Sequence, residues 1–146
     1  MGEKNLGGRP PTYKNVEEIK EKIEEYFKWC EGEPLIVDGE VVLNKAGEPV
    51  IYNKHPLTIT GLALALGFTT RQALLNYEAK AEFVDTIKEA KSRVERYAEE
   101  RLYDRDGVNG AKFSLSNNFK GWAEKQQIEA DVKNDVNICI ELSDDE

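Results

Sequence analysis

The sequence predicts a mainly α fold with small β elements. Three observations carry this. Apolar residues recur at helical spacing along most of residues 15–122. A β-branched stretch with tight-turn residues interrupts the helices at 35–53. The last segment, 123–146, switches to strict period-two alternation. Three regions follow: a flexible N-terminal arm over 1–14, a helical core over 15–122, and a C-terminal β oligomerisation segment with an acidic tail over 123–146.

In the arm, Lys4, Arg9 and Lys14 flank Gly-Gly-Arg-Pro-Pro, whose prolines exclude helix. Such a Gly-Arg-Pro stretch can lay an arginine in a DNA minor groove, or be an ordinary mobile terminus. Asn15 is placed to cap a helix running to about Glu31, with Val16, Ile19, Ile23, Tyr26, Phe27 and Cys30 as its apolar stripe. Glu17 and Glu18 suit the positive N-terminal end of that helix, and Gly32 and Pro34 stop it.

The insert at 35–53 reads as a small antiparallel hairpin or meander. Leu35-Ile36-Val37 and Val41-Val42-Leu43 are joined by Asp38-Gly39, a tight-turn pair. Ala46-Gly47-Glu48-Pro49 turns again before Val50-Ile51-Tyr52.

The most informative stretch is Thr58–Tyr77, within a helix-turn-helix pattern that spans 58–80. Ile59, Leu62, Ala63 and Leu66 share one helical face. Gly67 stands where a helix ends, since glycine takes the left-handed conformation without a Cβ clash. Phe68 can plug the corner, and Thr69 or Thr70 can cap a second helix that turns Ala73, Leu74 and Tyr77 inward. Thr70, Arg71, Gln72 and Asn76 then face outward with hydrogen-bonding groups suited to the DNA major groove. The same pattern also fits a packed helix pair with a solvated polar face.

A long helix is expected from Glu82 to about Tyr103, with Phe83, Ile87, Ala90, Val94, Tyr97 and Leu102 on one face. Asp106-Gly107 and Asn109-Gly110 break the chain, and Ala111, Phe113, Leu115 and Phe119 mark a short final helix. Beyond it Ile128, Ala130, Val132, Val136, Ile138, Ile140 and Leu142 all fall on even positions, with mostly polar residues between them. That is one half-buried strand, or two with a turn near Asn134. Its unpaired edges find mates either in the 35–53 strands or in the same segment of sibling copies. The second solution closes copies into a ring through an intersubunit β-barrel.

The chain has a net charge of −8 and a pI near 4.9. This argues against a sequence-independent coater of DNA, whose affinity comes from neutralising phosphates. From Ala123 onward there are eight acids and two bases, so the remainder is close to balanced and has room for a local basic patch. Two distant cysteines, Cys30 and Cys139, and a single histidine, His55, give no metal-ligand spacing. No nucleophile motif or phosphate-cradling glycine loop stands in the chain, so an enzyme, a metal and a cofactor are not expected. No apolar run is long enough for a membrane span, and the N-terminus lacks a secretory h-region.

Glu25–Leu35 (EYFKWCEGEPL), Pro56–Phe68 (PLTITGLALALGF) and Asn117–Glu129 (NNFKGWAEKQQIE), in this order and spacing, resemble the small terminase subunit of tailed double-stranded DNA bacteriophages. The likeness is closest to headful-packaging phages with short tails, and covers roughly residues 9–136. It implies a non-enzymatic DNA-packaging protein of the host cytoplasm that forms rings of about eight to eleven copies, of the closed cyclic kind. It further implies recognition of the packaging start site on concatemeric viral DNA, and delivery to a large subunit that carries ATPase and nuclease.

On that reading Arg71 forks onto a guanine, Gln72 or Asn76 onto an adenine, and Lys80, Arg9 and Lys14 hold phosphates. Ile128, Val132, Val136, Ile138 and Ile140 make the ring contacts. Some relatives end in a basic tail that holds DNA, whereas this chain ends in Ser143-Asp144-Asp145-Glu146. Asp144, Asp145 and Glu146 are therefore expected to meet a basic surface of the large subunit, or to stay solvated. A dimeric helix-turn-helix transcription regulator is the alternative.

Overall fold

The computed structural model describes residues 12–123. Arg9 and the whole C-terminal set (Ile128, Val132, Val136, Ile138, Ile140, Asp144, Asp145 and Glu146) lie outside the described residues. Five α-helices make up most of the described chain: α1 (Val16–Glu31), α2 (Ile59–Ala65), α3 (Arg71–Glu78), α4 (Val84–Glu100) and α5 (Val108–Asn118). Four two-residue strands lie between α1 and α2, and a 3₁₀ turn (Arg101–Tyr103) follows α4. The expectation of a mainly helical fold with a small β insert holds.

Local chemistry sets the helix ends. Asn15 caps α1, its side chain accepting from the Glu18 amide at 2.9 Å, and the Glu18 carboxylate accepts in turn from the Lys14 amide at 3.0 Å. At the other end Gly32 has φ +79°, and a Cβ there would collide with the Tyr52 carbonyl and approach Ile51 Cγ2 to 2.9 Å. The backbone reversal and the close approach of the flap together require glycine. Thr58 caps α2 through the Gly61 amide at 2.9 Å.

The stripes predicted for α1 and α2 are the core. Ile19, Ile23, Tyr26, Phe27 and Cys30 of α1 meet Ile59, Leu62, Ala63 and Leu66 of α2, with Leu74, Tyr77, Phe83, Ile87, Ala90 and Val94 closing the cluster. Each large aliphatic so buried contributes about 1.5–3 kcal/mol. The Tyr26 hydroxyl accepts from the Thr58 amide at 3.1 Å and donates to the Thr58 carbonyl at 3.3 Å, which fixes the start of α2 on α1. Arg93 of α4 lies over the Phe27 ring, 3.9 Å from its centroid, and pairs with Glu24, so α1 and α4 are also joined at the surface.

Three elements differ from the sequence expectation: the long helix, α5 and, below, the insert. The long helix ends at Glu100 and tightens into the 3₁₀ turn through Tyr103. In α5, Ala111 and Leu115 are buried but Phe113 is 73% exposed. Residues 111 and 115 are one turn apart on one face, whereas 113 stands roughly 200° around the helix from 111.

The insert is a branched flap. β1 (Glu33–Pro34) pairs antiparallel with β4 (Ile51–Tyr52), with Glu33 opposite Tyr52 and Pro34 opposite Ile51. β2 (Ile36–Val37) pairs with β3 (Glu40–Val41), Ile36 opposite Val41 and Val37 opposite Glu40. Asp38 (φ +52°) and Gly39 (φ +81°) give that hairpin both positive φ angles of a type I′ turn. A second turn hangs from the Leu43–Pro49 bridge, where Asn44 Oδ1 accepts from the Ala46 and Glu48 amides at 2.9 and 3.0 Å. The branches meet at Leu35, Val42 and Val50, whose amides and carbonyls bond one another at 2.8–2.9 Å. A simple meander is therefore replaced by a stem with two short hairpins.

Two glycines test this packing with opposite signs. Within a helix, glycine to alanine normally stabilises by about 0.5–1 kcal/mol. Gly61→Ala should instead destabilise, because the added Cβ meets the Tyr26 hydroxyl and lies 2.7 Å from Thr58 Oγ1. Gly110→Ala in α5 meets nothing within 4 Å and should stabilise by about that normal amount. Urea unfolding of the two variants beside the unaltered protein reads both signs.

Candidate nucleic-acid interface

The corner between α2 and α3 is closed by backbone bonds. Gly67 takes φ +87°. Its amide bonds to the Leu64 carbonyl at 3.0 Å, and the Phe68 amide bonds to the Ala63 carbonyl at 2.9 Å. These are the two bonds of a Schellman motif, and Phe68 is buried beneath them as that motif's apolar plug. Of the two threonines that follow, Thr70 is the cap: its Oγ1 accepts from the Ala73 amide at 3.1 Å. Leu74 and Tyr77 turn into the core and Ala73 is half-buried, as the pattern predicts.

An aromatic cluster supports the corner from behind. Tyr77 contacts Phe68 and Phe83, with centroids 5.2 and 5.3 Å apart, and Tyr13 meets Tyr77 edge-on at 6.2 Å. The Tyr13 hydroxyl donates to the Leu66 carbonyl at 2.5 Å, and the Tyr13 amide donates to the Tyr77 hydroxyl at 3.3 Å. Burial, with Tyr77 alongside, pushes the Tyr13 phenol above its ordinary range, so it stays a protonated donor. Tyr13 thus pins the end of the N-terminal arm to the corner, and Lys14 is exposed there. Nothing in the local sequence around Tyr13 signalled this contact, which spans more than fifty residues.

The outward face of α3 carries the predicted side chains. Thr70, Arg71, Gln72, Asn76 and Lys80 are all exposed. The Gln72 side-chain amide donates to Asn76 Oδ1 at 3.0 Å. That bond leaves the Gln72 carbonyl as an acceptor and the Asn76 amide as a donor, side by side. Thr70 spends an acceptor on its cap and keeps a hydroxyl proton to give. Arg71 bonds to Asn118 at the end of α5, which engages one of its five guanidinium donors. The Lys80 ammonium lies over the Tyr77 ring, 4.4 Å from its centroid.

The electrostatics of this face depend on one ion pair. Glu78 is the single carboxylate of α3. It pairs with Lys91 of α4 at 2.9 Å, and its side chain is only 13% exposed. The outward surface from Thr70 to Lys80 is therefore free of exposed carboxylates in a chain whose net charge is −8. A surface with two cations, paired amides and no competing acid can meet phosphates and base edges.

Asn118 is the residue that sequence reasoning missed. It lies 47 positions from Arg71, and only the packing of α5 brings it there. Elsewhere, the Cys30 thiol is buried and its pKa is pushed up by desolvation, which keeps it in the thiol form. His55 stacks on Trp29 with centroids 3.8 Å apart. Among the described residues no three His, Cys, Asp or Glu side chains gather as a metal site, and no helix is long and apolar enough to cross a membrane.

No curated protein matches the chain. A family model does: that of DNA-packaging protein gp3, over residues 8–128. The match takes in α1 to α5, the flap and the whole α2–α3 corner. The chain therefore belongs to the gp3 family of DNA-packaging proteins, and is a bacteriophage packaging protein of the small-terminase-subunit type.

Proposed function

We propose that the protein is a non-enzymatic recognition subunit that binds double-stranded viral DNA at the packaging start site and hands it to the large terminase subunit in the host cytoplasm. In this reading α2 and α3 form a helix-turn-helix, with α3 in the major groove. The observation that carries it is the exposed, carboxylate-free face of α3 on a family member dedicated to DNA packaging.

Arg71 reads a guanine, and the Gln72–Asn76 pair offers the acceptor and donor that an adenine edge complements. Lys80 and Lys14 hold phosphates. Tyr13 supports a role for the arm, since it is held at this corner with Arg9 a few residues upstream in the sequence. Asn118 would swing away from Arg71 or orient it.

One such face is a weak binder. Its few hydrogen bonds replace bonds these groups already make to each other, so the net gain per copy is small. A closed ring of about eight to eleven copies multiplies weak contacts through effective concentration. Ile128, Val132, Val136, Ile138 and Ile140 supply the alternating strand that pairs copies into a barrel. Asp144, Asp145 and Glu146 then face away from DNA, toward a basic surface of the large subunit.

Two measurements test this reading. Arg71→Ala should weaken binding of start-site DNA about tenfold or more, the scale of one lost base contact of about 1–3 kcal/mol. It should also flatten the dependence on salt, whereas Lys45→Ala in the flap should change neither. Fluorescence anisotropy across a salt series reads both, and unaltered affinity and slope for Arg71→Ala would remove this residue. Native mass spectrometry of the full chain should give one closed assembly of many copies. A dimer would instead favour a transcription regulator.

A further inference from the structure

Asn118, the last residue of α5, stands against Arg71, the first residue of α3. Its side-chain oxygen accepts from the Arg71 guanidinium, and its side-chain nitrogen donates to Ser114 Oγ at 3.3 Å. Chemistry fixes this orientation of the amide, because a guanidinium donates and cannot accept. Asn118 is itself held on both sides. Leu115 is buried, Phe119 packs against the core, and the Phe119 amide bonds to the Leu115 carbonyl at 3.1 Å. The exposed Arg71 side chain therefore leans on a fixed point of the fold.

The bond takes little of Arg71's capacity. One of its five N–H donors is engaged and four remain. A fork onto a guanine needs two of them. Arg71 can thus keep Asn118 and bind a base edge at the same time, so the contact does not block the site. An amide also leaves the guanidinium its full charge. A carboxylate in the same place would cancel it, as Glu78 and Lys91 cancel each other in their own pair.

We infer that Asn118 is a positioning residue for DNA recognition: it holds the Arg71 guanidinium in the pose that reads a base, with Ser114 fixing the Asn118 amide behind it. This deepens the reading of α3 given above and rests on it. A long side chain ordered before binding loses less entropy when it binds. α5 thereby takes part in specificity without touching DNA.

The test uses the full chain and two duplexes. One is the fragment that the unaltered protein retains best from sheared phage DNA, and the other has the same length and composition in scrambled order. Fluorescence anisotropy over a salt series reads both. Asn118→Ala should weaken binding of the retained fragment about three- to tenfold, the effect of ordering one long side chain only on binding. Binding of the scrambled duplex, and the salt slope on either, should stay unaltered, because the charge of Arg71 is kept. In an Arg71→Ala background the same change should cost nothing further. An equal loss in both backgrounds, or on both duplexes, shows a structural role alone and overturns the inference. A loss with Arg71→Ala and none with Asn118→Ala also overturns it and leaves the recognition reading intact. No loss with Arg71→Ala, or no preference of the unaltered protein for any fragment, ends both.

Asn118→Asp provides the second measurement. It keeps the geometry, since a carboxylate accepts from Arg71 and from the Ser114 hydroxyl alike. Helical circular dichroism should match that of the unaltered protein. Affinity for both duplexes should fall and the salt slope should flatten, as for Arg71→Ala, because the new charge cancels that of the guanidinium. Asn118→Asp that binds both duplexes as the unaltered protein does overturns the inference.

Discussion

The corner from Leu66 to Thr70 is the constraint on which the rest depends. A reversed backbone at Gly67 lets α2 end and α3 begin within a few residues. The two Schellman bonds satisfy carbonyls that the end of α2 would otherwise leave bare, and Tyr13 satisfies that of Leu66. Phe68, Leu74 and Tyr77 can then all point inward, which forces Arg71, Gln72 and Asn76 outward. The polar face of α3 is thus a consequence of how its apolar face is anchored. A residue with a Cβ at position 67 would strain the corner and loosen that orientation.

The face so presented satisfies itself internally. Arg71 rests on Asn118, Gln72 on Asn76, Lys80 on the Tyr77 ring, and Glu78 is drawn away by Lys91. Such pairs hold the side chains in few conformations before any ligand arrives, which lowers the entropy lost on binding. They also limit the affinity of one face, because every new hydrogen bond to a ligand partly exchanges for one already made within the protein. In the proposed ring, presentation of many faces on one body would answer that limit.

The flap follows a different logic. Its turns are fully specified by Asp38-Gly39 and by the Asn44 side chain, yet Ile36, Val37, Val41 and Leu43 stay largely exposed. Backbone hydrogen bonds and turn chemistry, and no buried apolar face, shape it.

Much of this was legible in the chain alone, because the signals are local. Asn15 as a cap, Thr69 or Thr70 as the next, Gly67 as the corner, the stripe from Ile19 to Cys30 and the Asp38-Gly39 turn each follow from neighbours within a few residues, and the structure selects Thr70. The family, too, was readable from three ordered sequence pieces, and its model spans residues 8–128. Other features were decided only by packing. Tyr13 on Leu66, Asn118 on Arg71 and Glu78 on Lys91 join positions far apart or on different helices. The exposure of Phe113 and the branching of the flap at Leu35, Val42 and Val50 also follow from three-dimensional arrangement. Periodicity tells which face of an element is apolar, but what that face meets, and which polar groups end up side by side, is set by the tertiary fold.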